Sequence, residues 1–120
     1  MKKILIVEDV EFNLDLLVQL LEDDYQLVTA GDGEKGFALA SEEKPDMILM
    51  DMSLPVMDGW ETARRIKADK NLKHIPVIGL SAHAMDGDRE KALASGCDEY
   101  LTKPIDEDLL IVTLQKFLES

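Results

Sequence analysis

Short apolar runs alternate with segments that place apolar residues on one helical face, and this alternation repeats five times. The strand-like runs are 3–8, 26–30, one starting at Pro45-Asp46, one opened by Pro76, and 99–102. The helix-like segments are one with Leu14, Leu17, Val18 and Leu21 on one face, then 34–43, one led by Asp58-Gly59, about 84–95, and 106–118. Strands separated by helices predict right-handed βαβ crossovers and a parallel sheet covered on both faces.

Differences among these segments predict where each one lies. Most of the strand-like runs are apolar throughout, as expected of strands buried on both faces, whereas 26–30 is more polar and is expected at a sheet edge. In the third helix Trp60, Ala63 and Ile66 are expected to point inward, and in the fifth Leu110, Leu114 and Phe117 are expected to form the buried stripe. The fourth helix has few large apolar side chains and is expected to be loosely held. With no repeat or linker, residues 1–120 are expected to form one α/β domain.

Composition narrows the function classes. There are 13 basic and 25 acidic residues, a formal net charge of -12, so binding to nucleic acid or to an anionic membrane surface is not expected. The single cysteine, Cys97, excludes an internal disulfide framework and suits a reducing cytoplasm, which is the expected location. No apolar stretch approaches the ~20 residues of a membrane helix, and the short apolar run after Met1-Lys2-Lys3 is no signal peptide.

Polar groups follow four of the apolar runs. Glu8 and Asp9 end the first, Asp51 ends the third, Ser81 ends the fourth and Lys103 follows the fifth. Because the carboxyl ends of parallel strands share one edge, these side chains are expected to converge in one crevice, at the point where the strand order reverses. The carboxylates repel one another there, so one pKa should rise.

A divalent cation would relieve that repulsion, and Mg²⁺ suits one or two carboxylates with waters and phosphate oxygens. Lys103 would supply a compact positive charge and Ser81 a hydroxyl donor for a phosphoryl group, with backbone N–H groups after Asp51 and Ser81 completing the cradle. Each residue alone has a plain structural explanation: Asp9 as a helix cap, Asp51 as a strand end, Ser81 as a turn cap and Lys103 as a solvated lysine. Their joint occurrence at four strand ends favours a functional site.

The motifs, taken together, resemble the receiver domains of two-component response regulators over essentially the whole chain. They are Ile6-Val7-Glu8-Asp9, the stretch from Met50-Asp51 to Asp58-Gly59, Leu80-Ser81-Ala82 and Tyr100-Leu101-Thr102-Lys103-Pro104. Details around Asn13, His83 and Ile105 resemble stand-alone cell-division regulators and the receivers of hybrid histidine kinases. The resemblance implies a flavodoxin-like, three-layer (βα)5 fold with strand order 2-1-3-4-5.

It also implies a role for each residue. Asp51 would accept a phosphoryl group from a phosphohistidine on a histidine kinase or histidine phosphotransfer protein, and Lys103 and Ser81 would contact the phosphoryl oxygens. Asp9, Asp51 and the backbone carbonyl of Ser53 would bind Mg²⁺, with Glu8 acting through water.

Further implications concern conformation and output. Lys103-Pro104 would be cis, although local sequence alone favours a trans bond. Ser81 and Tyr100 would be the switch residues, through which phosphorylation alters the surface formed by the fourth helix, fifth strand and fifth helix. A downstream protein target would bind that surface. The chain would be a signalling phosphoacceptor rather than an enzyme, able to catalyse its own phosphorylation and dephosphorylation, and a monomer or weak dimer.

Three other functions compete with this one. A haloacid-dehalogenase-type phosphatase also uses an apolar strand ending in Asp, but it wants a second Asp where this chain has Ser53. A flavodoxin-like flavin-binding module would need a loop rich in Ser, Thr or Gly after the first strand, and here that loop is the acidic Glu8-Asp9-Val10-Glu11. A receiver used as an adaptor that never takes phosphate is the third alternative.

Overall fold

The computed structural model describes residues 1–54, 56–81 and 88–118. Strands and helices alternate in chain order: β1 Lys3–Val7, α1 Glu11–Leu21, β2 Gln26–Ala30, α2 Gly33–Glu43, β3 Met47–Asp51, α3 Gly59–Ala68, β4 Val77–Ser81, α4 Asp88–Ala94, β5 Glu99–Thr102 and α5 Glu107–Leu118. All neighbouring strands pair in parallel, in the order β2-β1-β3-β4-β5. The predicted fold class, strand order and edge position of β2 are confirmed.

Successive strand residues point to opposite sides of the sheet, and helices bury both sides. On one side, Ile4 and Ile6 of β1 pack with α1 and α5 in a cluster that includes Leu17, Leu110 and Leu114. On the other side, β1 packs with α2, α3 and α4 in a cluster that includes Leu5, Val7, Ala40, Ile66 and Ala92. This two-sided burial explains why the central strands have no polar alternation.

Helix starts and ends follow local chemistry. The Asp32 side chain caps α2 by accepting the Lys35 N–H at 2.8 Å, and the Asp58 side chain caps α3 by accepting the Glu61 N–H at 2.9 Å. Helix α2 ends at Glu43, and the C-cap residue Lys44 has the left-handed φ of 45° typical of a helix terminus. The two aspartate caps thus begin α2 and α3 at the carboxyl edge of the sheet.

Four sequence-based details need correction. The first strand ends at Val7 rather than residue 8. The third strand begins at Met47 rather than Pro45, because Pro45 has no N–H to donate and the Lys3 N–H is accepted by the Asp46 side chain rather than by a strand carbonyl. In α5 the buried positions are Leu110, Thr113, Leu114 and Leu118, whereas Phe117 is half-buried, so the helix is rotated slightly from the predicted stripe. In α3, Ala63 and Ile66 are buried as predicted but Trp60 is half-buried.

The predicted fourth helix, about 84–95, is seen as Asp88–Ala94, and its predicted first residues lie outside the described part of the chain. Across the described ranges, none of the helices has the length and apolar character needed to cross a bilayer. The fold therefore brings four strand ends to one edge, between α1 on one face and α3 on the other.

Candidate functional site

Asp51 is the last residue of β3 and its side chain is buried at the carboxyl edge of the sheet. One carboxylate oxygen, Oδ1, accepts the backbone N–H of Ser53 at 3.0 Å, and the other, Oδ2, lies 3.4 Å from Lys103 Nζ. Just beyond it, the Met52 N–H donates to the Leu80 carbonyl at 2.9 Å and continues the pairing with β4. The sheet and the following turn thus fix the direction of this carboxylate.

Glu8, Asp9 and Asp51 form the acidic cluster that the sequence predicted. Each offers one carboxylate oxygen, and the three oxygens lie within 4.8 Å of one another. Glu8 is 1% exposed and Asp9 is exposed. Glu8 is held at the strand end because its N–H donates to the Ala30 carbonyl at 3.0 Å, and its Oε1 accepts the Val10 N–H at 3.1 Å.

Lys103 supplies the positive charge of the site. Its Nζ lies 2.8 Å from Glu8 Oε2, closer than to Asp51 Oδ2, and its own N–H donates to the Ser81 carbonyl at 2.7 Å. The Lys103–Pro104 peptide bond is cis, as the family resemblance implied and against the local preference. The direct pairing of Lys103 with Glu8 was not anticipated from sequence, because it depends on the conformation of a long side chain.

The pKa of Glu8 is raised, first because the side chain is buried and further because of Asp51, while the hydrogen bond from Lys103 works in the opposite direction. The predicted rise of one carboxyl pKa is therefore confirmed in direction, although burial and not repulsion is the leading cause. A buried carboxylate at this position needs a paired cation, and Lys103 provides it.

The donor set fits a hard divalent cation. Three carboxylate oxygens at this spacing, one of them on exposed Asp9, are the kind of ligands that Mg²⁺ takes together with waters. Ser53 lies two residues beyond Asp51 and is exposed. Its carbonyl is the fourth predicted ligand and remains a prediction.

The plain explanation for Asp9 as a helix cap is wrong. The N-cap of α1 is Val10, and no side chain caps that helix end. Because the Asp9 carboxylate is not used as that cap, its place in the acidic cluster favours a role in the site.

Ser81 and Tyr100 belong to β4 and β5, the strands beyond β3 in the sheet. Ser81 is the last residue of β4, is buried, and pairs in register with Thr102. Tyr100 is 6% exposed, and its ring packs so close to β4 that a Cβ on Gly79 would lie 3.3 Å from it. The ring is thus inside in this conformation, and the predicted role of Tyr100 in the switch stays a prediction. The backbone after Ser81 and His83 lie outside the described residues.

Sequence reasoning missed the packing role of Gly59. A Cβ there would lie 2.5 Å from the Asp51 carbonyl oxygen and 2.6 Å from Met52 Cα, so a glycine is required where α3 starts against the end of β3. Its N–H donates to the Met52 carbonyl at 3.3 Å. The Asp58-Gly59 pair signalled a helix start, but nothing in the sequence showed how close the two segments come.

Comparisons with known proteins agree with this geometry. The family model for the response regulator receiver domain matches residues 4–115. The polar-differentiation response regulator DivK of Brucella anthropi is 41% identical over 118 residues, which cover 98% of this chain and 96% of that protein. The DivK protein of Brucella ovis matches to the same extent.

Solved structures give the same result. The receiver domain of sensor histidine kinase PA1611 from Pseudomonas aeruginosa PAO1, which holds a magnesium ion in its active site cleft, has a TM-score of 0.92 and 37% identity, covering 99% of this chain and 98% of that one. Chemotaxis protein CheY4 of Vibrio cholerae has a TM-score of 0.90 and 29% identity, covering 98% and 99%. This chain belongs to the response regulator receiver domain family of two-component signalling.

Proposed function

We propose that Asp51 accepts a phosphoryl group from a phosphohistidine on a histidine kinase or a histidine phosphotransfer protein. The observation that carries the proposal is the position of the Asp51 carboxylate. It is buried at the sheet edge, 3.4 Å from Lys103 Nζ, with oxygens of Glu8 and Asp9 close by. Receiver domains work with histidine kinases or phosphotransfer proteins and with downstream targets, so a phosphohistidine donor is consistent with the family of this chain.

In the transfer, an Asp51 carboxylate oxygen forms a bond to phosphorus while the P–N bond of the donor phosphohistidine breaks. The imidazole leaves with the electron pair of that bond and takes up a proton from solvent, and Asp51 becomes an acyl phosphate. Such a transfer depends on positioning and charge neutralisation more than on covalent machinery. The Ser53 N–H orients the carboxylate, Lys103 compensates negative charge on the phosphoryl oxygens, and the Ser81 hydroxyl donates to one of them.

Asp9, Asp51 and the Ser53 carbonyl would hold Mg²⁺, with Glu8 acting through water. When bound, the ion supplies positive charge against the carboxylates and the incoming phosphoryl oxygens. The pairing of Glu8 with Lys103 supports an indirect role for Glu8, because that carboxylate already has a cation at 2.8 Å.

Intact-mass spectrometry after treatment with acetyl phosphate and Mg²⁺ tests the assignment. One added phosphoryl group is expected in the wild type and none in Asp51→Asn or after chelation of Mg²⁺. Asp58→Asn is the matched control, since Asn can still cap α3, and it should label like the wild type. Undiminished labelling of Asp51→Asn would overturn the assignment.

The same preparation separates the competing functions. Steady turnover of p-nitrophenyl phosphate with Mg²⁺ would favour a phosphatase, and a yellow, flavin-containing sample would favour a flavodoxin-like module. A chain that binds Mg²⁺ but never gains a phosphoryl group would favour an adaptor.

The proposed output is a change of the face formed by α4, β5 and α5, read by a protein target or passed on by phosphate transfer rather than by binding to DNA. Ser81→Ala should still be phosphorylated on Asp51 but should show a smaller amide NMR response to beryllofluoride across residues 82–106. Full-sized, identical responses in both proteins would rule out coupling through Ser81. Salt-sensitive, micromolar binding to duplex DNA would contradict the protein-target output.

A further inference from the structure

Helix α4 has little apolar anchorage. It has seven residues, and Ala92 is its buried hydrophobic residue within the described part of the chain. The larger Leu93 is 40% exposed. A methyl group contributes little hydrophobic stabilisation, so other contacts must hold this helix against the sheet.

One of these contacts joins α4 to α3. The Lys91 Nζ lies 4.5 Å from the centroid of the Trp60 ring, within the range of a cation–π interaction. Trp60 is itself half-buried and packs against the core cluster on that face of the sheet. The ring therefore packs against the core and has the Lys91 ammonium over it.

Trp60 is also close to the phosphoacceptor segment, which is the backbone of Asp51 and Met52. It directly follows Gly59, whose Cα is so close to the Asp51 carbonyl and Met52 that no larger residue fits. The Gly59 N–H donates to the Met52 carbonyl. These contacts connect the backbone after Asp51 to the start of α3, where the indole of Trp60 lies.

A second tether joins α4 to β5. Arg89 forms an ion pair with Glu99, and the same guanidinium nitrogen donates to the Tyr100 carbonyl at 3.4 Å. This tether does not pass through the Asp51 segment. The two attachments of α4 can thus be broken separately.

We propose that the Trp60–Lys91 contact is a latch by which the phosphoacceptor segment holds α4 in the conformation without a phosphoryl group, and that its release accompanies the switch. The link to phosphorylation rests on the proposed function of Asp51. The contact sets the opening equilibrium of α4 and disfavours the phosphoryl-bound conformation by the same factor.

Amide hydrogen exchange of α4, measured on the unmodified full chain, tests the latch. Lys91→Met keeps the aliphatic part of the side chain and removes its charge, and Trp60→Leu removes the aromatic face. Each should raise the opening constant of α4 about three- to five-fold, the effect expected for a partly exposed cation–π contact. The double variant should open no more than either single variant, which identifies a direct interaction.

Lys116→Met is the matched control. Lys116 lies over the Phe117 ring at 5.4 Å on α5, and its charge has only a weak effect on Glu99, so its removal should change α4 exchange far less than Lys91→Met does. Additive effects in the Trp60 and Lys91 cycle, or no effect of Lys91→Met, would overturn the latch. If Trp60→Leu fails to fold, comparing α4 exchange in Lys91→Met and Lys116→Met still tests the latch.

Beryllofluoride titration tests the coupling. Lys91→Met should bind beryllofluoride about three- to five-fold more tightly than the wild type. Unchanged affinity with faster α4 exchange would reduce the contact to a structural one and overturn its regulatory role. Absence of any beryllofluoride binding by the wild type would instead contradict the proposed function, and the exchange cycle would still decide whether the latch exists.

Discussion

Helices α4 and α5 lie on opposite faces of the sheet and are attached in different ways. α5 buries Leu110, Leu114 and Leu118 against one face. α4 buries Ala92 against the other face and is attached by the Lys91–Trp60 and Arg89–Glu99 contacts at its surface. Moving α5 would expose its buried leucines to water, which is costly, whereas each charged group of α4 can exchange its contact for water at small cost. The difference suits α5 to a fixed role and α4 to displacement.

The largest effect should follow from cutting the apolar attachment of α5. Leu114 is fully buried, so Leu114→Ala should lower the free energy of unfolding by about 2–5 kcal/mol through lost burial and a residual cavity. Urea denaturation followed by circular dichroism measures this. A loss below about 1 kcal/mol would mean that α5 is no more firmly held than α4.

Cys97 offers a second measure, because it lies at the joint between α4 and β5 and its N–H donates to the Ala92 carbonyl at 3.0 Å. Burial raises the pKa of its thiol to about 11 from 9.0, and nearby Asp98 adds to the rise. Two units of pKa correspond to about 100-fold less thiolate at pH 8, and the side chain is buried, so labelling by a disulfide reagent should be much slower than in the unfolded chain.

Lys91→Met should speed this labelling and Lys116→Met should not, since only the first loosens the joint. Native labelling at the rate of the urea-unfolded chain would show that the joint is open in the wild type.

Much of this organisation could be predicted from sequence because it depends on local pattern. The observed bounds of β2 and β5 coincide with the predicted 26–30 and 99–102, since short strands between turn residues are locally determined. The convergence of Glu8, Asp51, Ser81 and Lys103 followed from strand ends sharing one edge. The roles of these residues came from the family resemblance, not from the pattern.

What could not be predicted depends on contacts between distant side chains. Within its described residues the fourth helix has few apolar anchors, as expected, but nothing local shows that Lys91 reaches Trp60 or that Arg89 reaches Glu99. Likewise, the close pairing of Lys103 with Glu8 could not be predicted, whereas the expected contact of Lys103 with phosphoryl oxygens stays a prediction. Long charged side chains have many conformations, and their choice is made by the tertiary structure.

A smaller effect should come from acid. Burial tends to raise the pKa of Glu99, but hydrogen bonds from Arg89 and from the Tyr100 backbone N–H outweigh it. The charge of Lys116 lowers the pKa a little further. The net effect is a pKa lowered from 4.5. A lowered carboxyl pKa stabilises the folded state above the unfolded value and loses that contribution as pH falls through the folded value. Protection of α4, corrected for intrinsic exchange, should therefore be constant near neutrality and fall below about pH 4.5.

Because Arg89 is 53% exposed, the whole effect should stay below about 1 kcal/mol. Glu99→Gln should abolish the pH dependence. The control is Glu61→Gln, which removes a carboxylate that pairs with Arg64 and Arg65 within α3, and it should leave α4 unchanged. An unaltered acid response in Glu99→Gln would show that the Arg89 pair does not hold α4.

The smallest effect should come from repeating the Leu→Ala change on α4. Leu93 is 40% exposed, so Leu93→Ala removes little buried area, and Ala has the higher helix propensity, which offsets part of that loss. The free energy of unfolding should change by no more than about 0.5 kcal/mol, as is usual for surface positions, compared with several for Leu114→Ala. The same urea titration measures both variants. A loss of about 2 kcal/mol or more at Leu93 would mean that α4 depends on apolar packing like α5, and the contrast between the two helices would fail.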